Sequence, residues 1–264
     1  MSNKKNVPKR TKPYLTGAVT DEYTLRNALK FFFMLLLIMF MTFLVCSMTG
    51  FQSAVLRIIV NTAVELLVLT VLYSKGADLG EEAVARGEIL YQHEQKGVSI
   101  SKNERMIPYH PAKGFVTGLI GSSLLIICAV LLAATAEKQM TGAGVLPSWT
   151  DAFMRRTEFG DALVQYAQPV KAGFTDFLRI AVRIMMMPFI SLAGSENKEL
   201  LLLFEKLSPL ILLLPAVAYG AGYMQGPARR SRIHTEIAEN ARKRKVREKR
   251  ARKARIPKGP QQLN

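Results

Sequence analysis

The run 114–136, GFVTGLIGSSLLIICAVLLAATA, contains no charged residue. About 20 mostly apolar residues are what an α-helix needs to cross a ~30 Å hydrocarbon core. Within that core a lipid-exposed segment must satisfy its own backbone groups, so helices and closed barrels are the available solutions. Three further runs resemble it: 31–48 (FFFMLLLIMFMTFLVCSM), 53–74 and 207–226. The chain is 49% hydrophobic yet carries a net charge of +16. Both hold because charges collect between and after the apolar runs, a segregation that points to membrane spans rather than a soluble core. The expected fold is therefore all-α and polytopic, with four transmembrane helices. The run 31–48 is read as an uncleaved helix, because about 30 residues precede it and it exceeds a signal-peptide core.

Lys and Arg set the orientation, since they accumulate on the cytoplasmic side. Segment 1–30 holds seven of them, the 75–113 loop six, and the tail fourteen between Arg229 and Lys258. The turn between the first two runs holds none. Both termini and the 75–113 loop are thus expected in the cytoplasm, at a bacterial plasma membrane, and an even number of spans follows. That parity makes the remaining apolar stretch, 174–194, a non-spanning interfacial or re-entrant helix on the outer side. Its helical part, 174–187, would reach only about 21 Å before Pro188. The expected organisation is a basic segment 1–30, a hairpin 31–74 with spans 31–48 and 53–74, and a cytoplasmic loop 75–113 with a separate helix 79–95. A third span 114–136, an outer segment 137–206 with a further helix over 149–167, a fourth span 207–226 and a basic tail 227–264 complete it.

Within the second span, Arg57, Asn61 and Glu65 recur every four residues and form one stripe on a helix. Polar groups in hydrocarbon are costly and need partners. Glu65 falls near the bilayer middle, whereas Arg57 is close enough to the outer end to reach water. Arg179 and Arg183, one turn apart in the non-spanning helix, are the expected partners of Glu65. The candidate intramembrane polar network is accordingly Arg57, Asn61, Glu65, Arg179 and Arg183. Small residues at four-residue spacing, which let helices approach closely, mark packing faces at Gly114, Gly118 and Ser122 and at Ala218, Gly222 and Gly226.

Cys46 and Cys128 lie inside apolar runs and read as buried thiols rather than a disulfide. His93, His110 and His234 are scattered without metal-ligand spacing, so neither a metal site nor a cofactor is expected. No Walker A, HExxH, GxSxG or GxGxxG pattern occurs, and no catalytic residue is assigned. The tail reads as a long helix. Its cations Arg242, Lys243, Arg244, Lys245, Arg247, Lys249, Arg250, Arg252, Lys253 and Arg255 are candidate contacts for lipid headgroups or other phosphates.

These features point to a non-enzymatic membrane accessory, scaffold or assembly subunit. Its expected partners are the bilayer, anionic headgroups at the tail, and a protein partner or second copy, with RNA or a ribosome the less favoured tail partner. One alternative is a small transporter or channel subunit using the stripe around Glu65. Another is an insertase-like factor with a ribosome-binding tail: a basic cytoplasmic tail beside a membrane-buried arginine resembles membrane-protein insertases, although the rest of the chain carries no motif of that family.

Overall fold

The computed structural model describes residues 12–48, 53–136, 153, 173–193 and 197–255. Among these residues the regular elements are all helical: α1 Glu22–Met48, α2 Ala54–Gln95, α3 Lys102–Met106, α4 Lys113–Thr135, α5 Phe174–Met185, α6 Met187–Ala193, α7 Lys198–Met224 and α8 Gly226–Arg255. Four of them, α1, α2, α4 and α7, are long and apolar enough to cross a bilayer. The helix expected over 149–167 lies outside the described residues apart from Phe153, which is helical.

Two helix boundaries differ from expectation, each for a physical reason. The second span and the helix 79–95 are one continuous helix, α2, of 42 residues. At 1.5 Å per residue it is about 63 Å long, twice a ~30 Å core, so much of it stands clear of any bilayer. Gly76 was expected in the loop ahead of the helix 79–95, but here it is a helical position where another helix presses close, as is Gly80 inside that helix. The helix that carries the fourth apolar run begins earlier than 207, because α7 starts at Lys198 and carries Glu205 inside it. α1 starts at Glu22 and runs unbroken into the apolar run 31–48.

The chain divides into two compact units. One comprises Met1–Arg26, Leu72–Thr117 and Ala218–Asn264. Here a Cβ on Gly76 would overlap the Tyr219 carbonyl oxygen, and one on Gly80 the Tyr223 carbonyl oxygen. Gly222 lies as closely on the Tyr73 backbone, and Gly226 on that of Gly80. Contacts that advance together along both chains mean parallel helices. A short N-terminal strap pairs with the same unit: the Leu15 N–H donates to Gly87 O (3.2 Å) and the Gly17 N–H to Tyr109 O (3.0 Å). Lys113 ties it down. Its buried ammonium donates to the carbonyls of Met106 (2.9 Å), Ile107 (2.9 Å) and Pro108 (3.0 Å) and pairs with Asp21 (3.1 Å). Stacked rings of Tyr109 and Tyr223, 5.3 Å apart, fill the centre beside Val84. The helix α3 opens on a capping box in which Ser101 and Glu104 satisfy each other's backbone N–H.

The other unit comprises Asn27–Val71 and Gly118–Val217. On α4, Gly118 packs against Ala216 of α7, and Gly121 against Ala28 and Phe31 of α1. Leu125, Ala129 and Leu132 continue the buried stripe. Pro209 and Pro215 sit inside α7. Pro209 has no N–H for the carbonyl four residues back, and the Ser208 hydroxyl reaches that carbonyl, Glu205 O, at 2.7 Å. The freed acceptor is therefore satisfied where water is excluded.

Candidate functional site

The expected network around Glu65 is divided in two by the structure. Asn61 is fully buried and donates through Nδ2 to Arg57 O (2.8 Å) and to Ser191 Oγ of α6 (2.9 Å). Its Oδ1, like Arg57 Nε, is buried without a hydrogen-bond partner among the described residues. Arg179 and Arg183 do not turn to Glu65. They clasp Glu205 of α7, with Arg179 Nε 3.1 Å and Arg183 Nη2 2.5 Å from Oε1. Asp176, one turn before Arg179, stands 3.7 Å from it. The expected pairing fails because α7 begins a full nine residues before the anticipated 207, which brings Glu205 into the helix opposite both arginines. The sequence did carry a signal, a lone acid in the apolar run LLLLFEKL. This carboxylate is only 3% exposed, while the Arg179 side chain is 10% and that of Arg183 29% exposed. Chemically the cluster is an anchor: it holds the short α5 against α7 by charge-assisted bonds, the strongest kind available in a dry setting.

Glu65 instead borders a cavity of about 30 Å³, enough for roughly one water. Apart from Glu65 and Thr42 the lining is apolar, including Leu35, Val68, Pro188 and Leu212. The Thr42 hydroxyl donates back into its own helix, to Ile38 O at 2.7 Å.

A second polar cluster was not anticipated. Beyond its apolar part, α2 presents Asp78, Glu81 and Glu88 to the first turns of α8. Arg229 pairs with Asp78 at 2.7 Å. Arg230 bridges Glu81 (2.7 Å) and Glu88 (3.0 Å), and His234 Nε2 lies 2.7 Å from the other Glu88 oxygen. Spacing alone hinted at it, since Glu81 and Glu88 lie two helical turns apart and Arg230 and His234 one turn. Burial pushes the Glu88 carboxyl up, but the hydrogen bonds and charges of Arg230 and His234 outweigh it and hold the group below its ordinary 4.5. A depressed carboxylate lends stability above its unfolded pKa and loses it as pH falls through the folded one. Docking of α8 on α2 is therefore expected to hold from neutral pH down to about 4.5 and to weaken below. Exchange protection of the 229–234 amides, corrected for intrinsic rates, checks this; a Glu88→Gln variant should lose the dependence.

The small-residue positions occupy helix contacts within the chain. Gly114 meets the Tyr223 side chain, Gly118 meets Ala216, Gly222 and Gly226 meet α2, and Ser122 is fully buried with its hydroxyl on Gly118 O (2.8 Å). Ala218 is half-buried. Among the described residues no group of His, Cys, Asp and Glu could hold a metal ion. Of the tail cations, Arg242, Lys243, Arg244, Lys245, Arg247 and Lys249 are exposed on α8. Compared with protein-family models, curated proteins and solved structures, the chain has no match in any of the three.

Proposed function

We propose that this chain is a four-span protein of a bacterial plasma membrane, with both termini cytoplasmic, that serves as a non-catalytic scaffold or assembly subunit for a protein partner. One observation carries the reading: α2 outruns its apolar part and is paired there with α8 through the Gly80–Gly226 contact and the Glu88–Arg230–His234 cluster, as a two-helix stalk. A protein that only had to fill a bilayer has no use for such a stalk, whereas one that positions a partner does.

The parallel course of α2 and the end of α7 supports the parity. Tyr219 meets Gly76 and Tyr223 meets Gly80, so both helices leave the membrane on the same side. If α2, α4 and α7 each cross once, an additional crossing by α5 and α6 would reverse α7. The length of α5, 12 residues or about 18 Å, fits the same assignment. A reporter active only outside the cytoplasm, fused after Asn264, is expected to stay silent, and strong activity there would refute the topology. Purification in mild detergent is expected to retain a stoichiometric protein partner. A chain that stays alone and moves solute into liposomes would replace this reading with the transporter.

A further inference from the structure

The seam between α2 and α6 gathers unmet polar groups. Among the described residues three buried side-chain polar atoms lack a hydrogen-bond partner, and two of them, Arg57 Nε and Asn61 Oδ1, belong to side chains one turn apart on α2. Folded proteins leave few such atoms bare, and bound water is the usual reason. The Asn61 amide cannot turn over to hide its oxygen, because Nδ2 faces Arg57 O (2.8 Å), a carbonyl that only accepts. An Nε–H that donates beside an Oδ1 that accepts is a pairing that water bridges. A cation would be opposed by the guanidinium, and an anion by Oδ1.

The seam continues to Glu65. Asn61 meets Ser191 (2.9 Å), and one turn further along both helices Glu65 and Pro188 border the cavity of about 30 Å³. It has room for roughly one water, and its polar groups are acceptors. The Thr42 hydroxyl gives its hydrogen to Ile38 O (2.7 Å) and offers lone pairs. Pro215 has no N–H for the Ile211 carbonyl, and both residues line the cavity. Spanning helices meet such a freed acceptor with ordered water. One water brings two hydrogens, enough for Thr42 and Ile211. No other lining side chain has a polar hydrogen to offer a Glu65 carboxylate. A proton on Glu65 completes the set: the carboxyl donates to the water, and the water donates to the two acceptors. The other charged or titratable groups around the carboxyl are accounted for. Arg57 is two turns away on the same stripe, Cys46 of α1 feels the Glu65 charge, and Arg179 and Arg183 of α5 are held by Glu205.

We propose that Glu65 is a proton-binding site, reached by water along the α2–α6 seam past Arg57 and Asn61. A hydronium ion in the seam gives its proton to the carboxylate, leaving water and the neutral acid, and release reverses the step. Such a site is compatible with a scaffold, and its test does not touch that reading. Full-length chain in lipid discs is followed by infrared difference spectroscopy through a pH titration. A protonated-carboxyl band that titrates in the parent should be missing in Glu65→Gln. The shift of that band on transfer to D2O should be roughly tenfold slower in Asn61→Leu, the effect of one hydrogen-bonding step lost from the path. Hydroxyl-radical footprinting of the unmodified chain reads the water directly and decides the route if Asn61→Leu does not fold. Met39 and Met185, at the cavity, should oxidise several-fold faster than Met41, which is exposed on the outside of α1. An unchanged titrating spectrum in Glu65→Gln overturns the proposal, as does unchanged exchange in Asn61→Leu. Met39 and Met185 oxidised no faster than Met41 would mean a dry seam and overturn it too. Loss of the band when sodium replaces choline at fixed pH would assign the site to a metal cation instead of a proton.

Discussion

Replacing Glu205 with alanine is expected to destabilise the protein by about 3–5 kcal/mol, the usual cost of removing one partner from a buried ion pair. Two guanidinium groups converge on this single carboxylate, and it is the most deeply buried member of the cluster. Without it, both guanidinium groups lose the carboxylate they share, and Arg179 retains Asp176 at 3.7 Å. Arg183, partly exposed, can still turn toward water, which puts the expected loss toward the lower half of that range. The triple variant R179M/R183M/E205M is the informative contrast, since replacing a whole buried ion cluster with packed apolar side chains is often neutral or stabilising. Unfolding in mixed micelles should therefore rank wild type and triple variant close together, with Glu205→Ala far below. A single variant within about 1 kcal/mol of wild type would show that α5 is held by packing and not by charge.

Leucine at Gly80 is the second large effect. Even a Cβ at this position would overlap the Tyr223 carbonyl, a backbone group that cannot rotate away as a side chain could. Overpacking commonly costs about 1–3 kcal/mol and occasionally more, and a clash with backbone belongs at or above the top of that range. The sign of Gly80→Ala is diagnostic as well. In an unpartnered helix alanine is better than glycine by about 1 kcal/mol. Here it is expected to be worse, because α2 and the α7–α8 segment must separate to admit it. Limited proteolysis of α8 measures the result: faster cleavage near 226–234 in both variants is expected, and a protected, more stable Gly80→Ala would mean that the close approach is absent.

Much of the architecture was legible from hydropathy and charge. Uncharged runs such as 114–136 leave a chain few folded alternatives to a spanning helix, and α4 begins and ends within one residue of that run. The short helix near 174 was also visible, because Pro188 and the arginines cut its apolar stretch. What misled was local punctuation. Gly76 looks like a helix end when its neighbours in sequence are considered alone. The reason for it is the Tyr219 backbone, more than 140 residues away. Glycine at a helix terminus and glycine at a helix contact are the same letter, and only a neighbouring helix tells them apart.

The site shows the same division. Arg179 and Arg183 were identifiable as costly charges in an apolar stretch that required an acid, since that requirement follows from desolvation alone. Which acid was another matter. Glu65 and Glu205 are both single carboxylates in apolar helices, and charge counting cannot rank them. The sequence by itself determined that four segments must be helices able to cross a bilayer, where basic residues gather, and that buried cations need partners. Those properties come from composition within a window of about 20 residues, the scale set by membrane thickness. Only the tertiary structure decided that Glu205 takes both arginines, that α2 runs unbroken to Gln95, and that the base of α8 is docked beside it. Each of these depends on which helix faces which, and at what register, and that is settled by side chains far apart in the chain meeting across a contact.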